Sequence, residues 1–282
     1  MRTYRQTFES IDEVMNYLAK PRDPNAGTDS ESNPATDSWT LGLDYEGTMD
    51  CYTGGWAEGA SKAYELADRL APKPRGGRRR ALERSVVGGI VNTGAVMAGA
   101  PKAMYRVAYA NVTARPYVHL YLPIGYSSGT NATVAFDRGC ALVAIIDALV
   151  NVGCRVKITL TRTSEIRADL RICQSFMVKD YQDVLDIDQI IFTAAHPAMF
   201  RRICFALEER ASDNQHVIAK TRGSYGTSMD MQEDDTEDDS NVIRVIFPRL
   251  TGGYGTPELF LKQMVGALPE TLQTEIESVG KK

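Results

Sequence analysis

The clearest alternation of apolar and polar positions lies in the second half of the chain. Residues 118–124 (VHLYLPI) are branched, aromatic and alternating, which predicts a strand. A polar loop, GYSSGTNAT at 125–133, follows. Residues 136–150 are then apolar except for Asp137, Arg138 and Asp147, so they predict a helix buried on most of its sides. Asn151 and Gly153 close that helix, with Gly153 suited to a left-handed C-cap. Residues 155–161 (RVKITLT) alternate again, and 118–161 therefore reads as β-α-β, a right-handed parallel crossover. The polar link RTSEIRAD is too short for a crossover helix, so the next strand, 170–178, should run antiparallel to its predecessor. Residues 186–209 are helical with a break at Pro197. Residues 242–247 form a fourth strand, and 257–268 a closing helix with Pro257 in its first turn.

The first half is less regular. Residues 10–19 predict a short helix, with Ser10 as N-cap and Glu13 three positions on. Residues 21–48, rich in Pro, Gly, Ser, Asn and Asp, predict a mobile connector. Helical spacing returns at 55–70 through Trp56, Ala60, Ala63, Tyr64, Ala67 and Leu70. Residues 71–84 carry six basic residues and one acid among prolines and glycines, which excludes them from a core. Residues 86–104 are small and divide into short pieces. The segment 229–241 holds seven carboxylates and no cation, and reads as a solvated, mobile loop. The expectation is a helical, loop-rich region over 1–115 and a doubly wound, mostly parallel α/β domain over 116–282.

Composition narrows the function classes. With 43% apolar and 24% charged residues, a real core is expected. A net charge of −4 gives no whole-protein pull toward nucleic acid or anionic membrane. No run of 18 apolar residues predicts a membrane span, and the polar N-terminus predicts no signal peptide. Cysteines 51, 140, 154, 173 and 204 form no C-x-x-C pair and sit largely in apolar runs. They read as free thiols of a reducing, cytoplasmic compartment.

In open α/β sheets, ligands bind beyond the carboxyl ends of the parallel strands. That singles out the loop 125–133, with Ser127, Ser128, Thr130 and Asn131 as contact residues. Thr251 and Tyr254 of the glycine-rich loop LTGGYGT should converge on the same sheet end. Gly125-Tyr126-Ser127-Ser128-Gly129 also satisfies the nucleophile-elbow pattern G-x-S-x-G. Asp186 or Asp188 and then His196 would follow in the chain order of an α/β-hydrolase. Against that reading, seven residues separate Ser128 from Phe136, whereas an elbow turns abruptly from strand into helix. His119 should be a half-buried structural histidine on one strand face with Tyr121, and His196 a capping or core histidine. Dispersed histidines predict no zinc site. No phosphate-binding glycine motif predicts a nucleotide cofactor. The basic run from Arg75 to Arg84 lacks aromatics for base stacking, so it reads as a solvated loop or a partner for the acidic 230–239 run. A nucleic-acid-associated accessory role is the alternative.

The element order β-α-β-β-α-β-α and the polar loop after the first strand resemble a von Willebrand factor A-type domain over about residues 116–270. That family binds a divalent cation through Asp-x-Ser-x-Ser after its first strand. Here Ser127 matches the first serine, while Gly125 and Gly129 replace the acid and the second serine. The resemblance therefore implies an adhesion-like surface with a degenerate metal site and no bound cofactor. The stretches GGWAEG (54–59), VVGGIVNTGAVMAGAPKAM (86–104), RGCALVAIIDALVNVGCRV (138–156) and LDIDQIIFTAAHPAMFRR (185–202) resemble an uncharacterised family encoded by bacteriophages and plasmids. Taken together, the residues and the resemblance predict a non-enzymatic, protein-binding chain of undetermined oligomeric state.

Overall fold

The computed structural model describes residues 2–24, 26, 28–32, 39–70, 81–85, 90–91, 93–97, 99–108, 116–127, 129–183, 185–211, 225–232, 235–236, 239–252 and 255–281. Its centre is strand β5, and the remaining elements are numbered in chain order around it. They are β1 (Arg2–Phe8), α1 (Ile11–Leu18), α2 (Tyr45–Gly54), α3 (Ala57–Leu70), β2 (Ala81–Ser85), β3 (Ile90–Val91), α4 (Thr93–Met97), β4 (Met104–Ala108) and β5 (Tyr117–Pro123). Then come α5 (Ala132–Asn151), β6 (Arg155–Arg167), β7 (Leu170–Lys179), α6 (Ile187–Ala195), a π-turn (Met199–Cys204), α7 (Phe205–Glu209), β8 (Thr227–Ser228), β9 (Val242–Ile246), α8 (Pro257–Ala267) and α9 (Glu270–Lys281).

The main sheet has the order β1-β7-β6-β5-β9, with β8 paired to the far part of β6. Strand β5 has parallel partners on both sides, Leu120 facing Ile158 of β6 and Val245 of β9. Val118, Leu120 and Leu122 are wholly buried, as a central strand requires. The β5-α5-β6 crossover and the antiparallel β6-β7 hairpin are found where the alternation placed them. Gly153 follows α5 at φ 97°.

Apolar residues of β5, β6 and β9 and Phe176 of β7 share one cluster with residues of α1, α2, α3, α5, α6, α8 and α9, while Leu170 and Ile172 of β7 form a smaller one with Ala211. The opposite sheet face is polar. His119 stacks on Tyr121 at 4.0 Å and its Nε2 lies 2.7 Å from Thr159 Oγ1. His119 is thus fully rather than half buried. On this face Asp235 accepts from Arg5 and Arg171, each at 3.0 Å. A doubly wound sheet buries both faces under helices; here the described residues show one apolar, helix-covered face and one polar face.

Several expectations are corrected. The N-terminus is β1, parallel to β7: its inward positions are Tyr4, Gln6 and Phe8, and Gln6 Oε1 accepts from Gln174, so a polar residue masks the alternation. Strand β6 continues through the polar link to Arg167, because its hairpin with β7 closes only there. The acidic segment is not wholly solvated, since the Asp235 side chain has no exposure. A further helix, α9, follows the helix read as closing. The region before residue 116 is mixed rather than helical: β2, β4 and β3 form a three-stranded antiparallel sheet, so residues 81–84 of the basic run belong to a strand. Residues 75–80 of that run lie outside the described residues.

The connector 21–48 is not free either. Ser30 is buried, its N–H and hydroxyl donating to Glu209. Arg202 donates to the carbonyls of Ser30 and Glu31, and Arg210 pairs with Glu31. Composition reports the backbone's freedom, not the partners waiting for it. Among the described residues no single helix is long and apolar enough to cross a membrane. The α6 and π-turn–α7 pair passes on length and composition but is bent by 64° and belongs to the core.

Helices α5 and α6 meet at Gly139, where an added Cβ would stand 2.1 Å from Ala195 Cβ. Gly139→Ala is expected to lower the unfolding free energy by about 1–3 kcal/mol through overpacking. Gly54→Ala, with open space at its Cβ position, should not. Urea unfolding of the two variants checks the contrast.

Candidate functional site

Strand β5 ends at Pro123, and the chain reaches α5 within eight residues. The Thr130 N–H donates to the Ser127 carbonyl at 3.0 Å, closing a tight turn, and Asn131 Oδ1 accepts from the Thr133 N–H as the N-cap of α5. Helix α5 therefore starts at Ala132, four residues earlier than its apolar run suggests, because the cap and not the first apolar residue sets the boundary.

Beside this turn lies a hollow of about 400 Å³, lined by Trp39, Leu41, Tyr126, Gly129, Thr130, Asn131, Ala132, Pro197 and Arg201. It stands where β5 sends its crossover to β6 on one side and pairs with β9 on the other, the switch point of the sheet. Three segments distant in sequence build it. The loop after β5 supplies Tyr126 and Thr130, both buried, whose hydroxyls have no hydrogen-bond partner. The π-turn supplies Arg201, whose guanidinium lies 4.6 Å from the Trp39 ring and 6.0 Å from that of Tyr126. The strapped connector supplies Trp39 and Leu41, which are 41% and 50% exposed. Leu41 adopts φ 56°, a left-handed conformation that costs a non-glycine residue about 1–2 kcal/mol. Thr40 beneath it is fully buried and donates to the Leu43 carbonyl at 2.6 Å, which holds the turn.

Of the residues singled out by sequence, the structure brings Thr130 and Asn131 into this hollow. Ser127 is exposed and does not line it, its Oγ accepting from the Gly129 N–H at 3.4 Å. Ser128 and Tyr254 lie outside the described residues. Thr251 does not join the hollow: it lines a separate crevice of about 50 Å³ with Arg138, Leu250 and Phe260. Arg138 explains the separation. It is buried between the two strand ends and donates to the carbonyls of Pro123 (2.7 Å) and Pro248 (2.8 Å). Burial pulls its pKa down to about 10, so it remains a cation at neutral pH.

The acid expected after the first strand of an A-type domain has a physical obstacle here. A Cβ on Gly125 would stand 2.7 Å from Ser228 Oγ and 3.6 Å from Arg162 Cγ, so β8 and Arg162 fill the space a carboxylate would need. Among the described residues no group of three His, Cys, Asp or Glu is placed to hold a metal ion. The hydrolase constellation is not assembled either. His196 Nδ1 accepts from the Ala198 N–H at 3.1 Å, its ring packs edge-on against Trp56, and Asp186 caps the far end of α6. His196 is the buried capping histidine that its place before Pro197 suggested.

Trp39, Leu41, Tyr126 and Arg201 were not singled out by sequence. Only Trp39 and Leu41 carried a signal, as two of the few large apolar residues in a mostly polar connector.

Comparison with known families gives one match: residues 1–268 fit the family described as Domain of unknown function (DUF7192). The chain belongs to that family. No curated protein and no solved structure matches it.

Burial holds the His196 pKa down at about 4, against 6.5 for a free imidazole. Because the folded-state value is depressed, the stability this residue supports is complete above pH 6.5. It falls as the pH drops toward 4, by up to about 3 kcal/mol. Glu208 and Glu209, whose pKa values burial raises, act in the opposite direction. The difference between wild type and His196→Asn isolates the histidine: the gap in unfolding midpoint should change between pH 7 and pH 4.5, and a pH-independent gap would refute a buried neutral imidazole.

Proposed function

We propose that this DUF7192 chain is a non-enzymatic binding protein of bacteriophage or mobile-element origin that holds another protein through the hollow at the end of β5. One observation carries the reading. A half-exposed tryptophan and a strained, exposed leucine are fixed over buried polar groups without partners, at the switch point where α/β sheets bind their ligands. Apolar side chains at a rim with unsatisfied hydroxyls beneath describe a surface awaiting a complementary group.

An adhesion-like scaffold related to A-type domains accommodates this site. Counting β5 as the first strand, the order β7-β6-β5-β9 is 3-2-1-4, an order of doubly wound sheets, with the third strand antiparallel. The closed-off Gly125 position supports a metal site that has degenerated, so contact would pass through side chains rather than an ion. A cytoplasmic setting fits the five free cysteines, four of them buried. Burial pushes the Cys140 and Cys204 thiols up to about 12, which leaves them protonated and unreactive.

A photo-crosslinking residue placed at Leu41, in bacterial cells carrying the encoding phage or plasmid, should capture a discrete protein adduct. The same residue at Met97, which is 90% exposed, serves as the control for random encounter. The adduct should weaken about tenfold or more when Trp39→Ala is added, as expected for loss of an aromatic anchor. Equal adducts from both positions, or indifference to Trp39→Ala, would remove the hollow as the contact surface.

A further inference from the structure

The fully buried arginines of the fold each meet an acid or a backbone carbonyl. Arg138 meets two carbonyls, Arg162 lies 2.7 Å from Glu208, Arg171 pairs with Asp235, Arg202 meets the carbonyls of Ser30 and Glu31, and Arg210 pairs with Glu31. Arg201 differs. It is partly buried, and its Nε and Nη2 are shut off from water without a hydrogen-bond partner, as are one nitrogen each of Arg162 and Arg202 and two of Arg171; unlike theirs, its guanidinium meets no acid or carbonyl of the described residues. Its neighbours are the rings of Trp39, Phe200 and Tyr126. A guanidinium with two nitrogens shut off from water and no acid beside it is stabilised by an anion that completes it.

The surroundings favour the same kind of ligand. The Tyr126 and Thr130 hydroxyls, on side chains more than nine-tenths buried, line the hollow and lack partners. Helix α5, 20 residues long, begins at the same wall with Asn131 and Ala132, and its N-terminal end carries partial positive charge. No acidic residue lines the hollow among the described residues. The π-turn contributes by direction: Arg202 reaches into the connector strap while its neighbour Arg201 faces the hollow.

We infer that the ligand of this hollow presents an oxyanion, a carboxylate or a phosphate, to Arg201, with the Tyr126 and Thr130 hydroxyls donating to it and Trp39 covering the guanidinium face. The inference rests on the hollow being the binding surface proposed above, and it specifies the chemistry of what binds there.

The test titrates the full chain with inorganic phosphate and, separately, with glutarate, at ionic strength held constant with chloride, following tryptophan fluorescence and calorimetric heat. A saturable response to either anion is expected. Arg201→Gln should weaken it about tenfold or more, and Tyr126→Phe and Thr130→Val each a few-fold, as loss of a charged and of neutral donors implies. Arg249→Gln, whose side chain pairs with Asp230 outside the hollow, should leave it unchanged. Saturation by phosphate alone assigns a phosphoryl ligand, by glutarate alone a carboxylate, and by both a shared oxyanion pocket. Circular dichroism of each variant separates lost binding from lost fold, and the milder Tyr126→Phe and Thr130→Val keep the test open should Arg201→Gln misfold. No saturable response from the folded wild type, or an unaffected Arg201→Gln, would overturn the inference. If the Leu41 adduct persisted under that result, the hollow would remain a binding surface of different chemistry.

Discussion

The structure depends on two adjacent buried carboxylates at the end of α7. Glu208 faces the sheet, where Arg162 is fully buried and also donates to Gln174 and to the Tyr225 carbonyl. Glu209 faces the connector, accepting from Ser30 and from the Tyr225 hydroxyl. Removing one member of such a network strands a charge away from water, which costs about 3–5 kcal/mol. The same bonds tie together segments that no helix or strand joins: the connector, the hairpin β6-β7, the π-turn helix and the chain around Tyr225.

That constraint makes a site possible. A connector rich in proline, glycine and serine would not by itself hold a tryptophan over an arginine. Anchored by Glu209, Arg202 and Arg210, it presents Trp39 and Leu41 at a fixed place. The π-turn has a related part. By inserting a wider turn between α6 and α7 it allows Arg201 and Arg202, neighbours in sequence, to serve the hollow and the strap. Such turns recur at functional positions because they redirect side chains at the cost of helix regularity.

The short motifs say less about the site than their letters suggest, for one physical reason. G-x-S-x-G and the truncated A-type loop both describe the backbone turn after β5 correctly, since that turn is tight and leads into a helix. Neither motif specifies what surrounds the turn. Ser228 and Arg162 occupy the ground a carboxylate would need, and Ala198 occupies the histidine nitrogen that a catalytic acid would need.

The sequence by itself determined the elements whose burial is periodic. The alternation of 118–124 and 155–161, the apolar run of α5, the caps at Ser10 and Gly153, and Pro257 in the first turn of α8 are local consequences of side-chain sterics and hydrogen bonding. So the central strand, its crossover and the antiparallel hairpin were legible, and with them the end of the sheet where a ligand belongs. Only the tertiary structure decided the rest. Strand β1 depends on a Gln6–Gln174 bond across 168 residues, and the connector on carboxylates nearly 180 residues away. The hollow joins residues 39, 126, 130 and 201. Such pairings carry no period in sequence, because each is set by which polar group is left without water when the core closes.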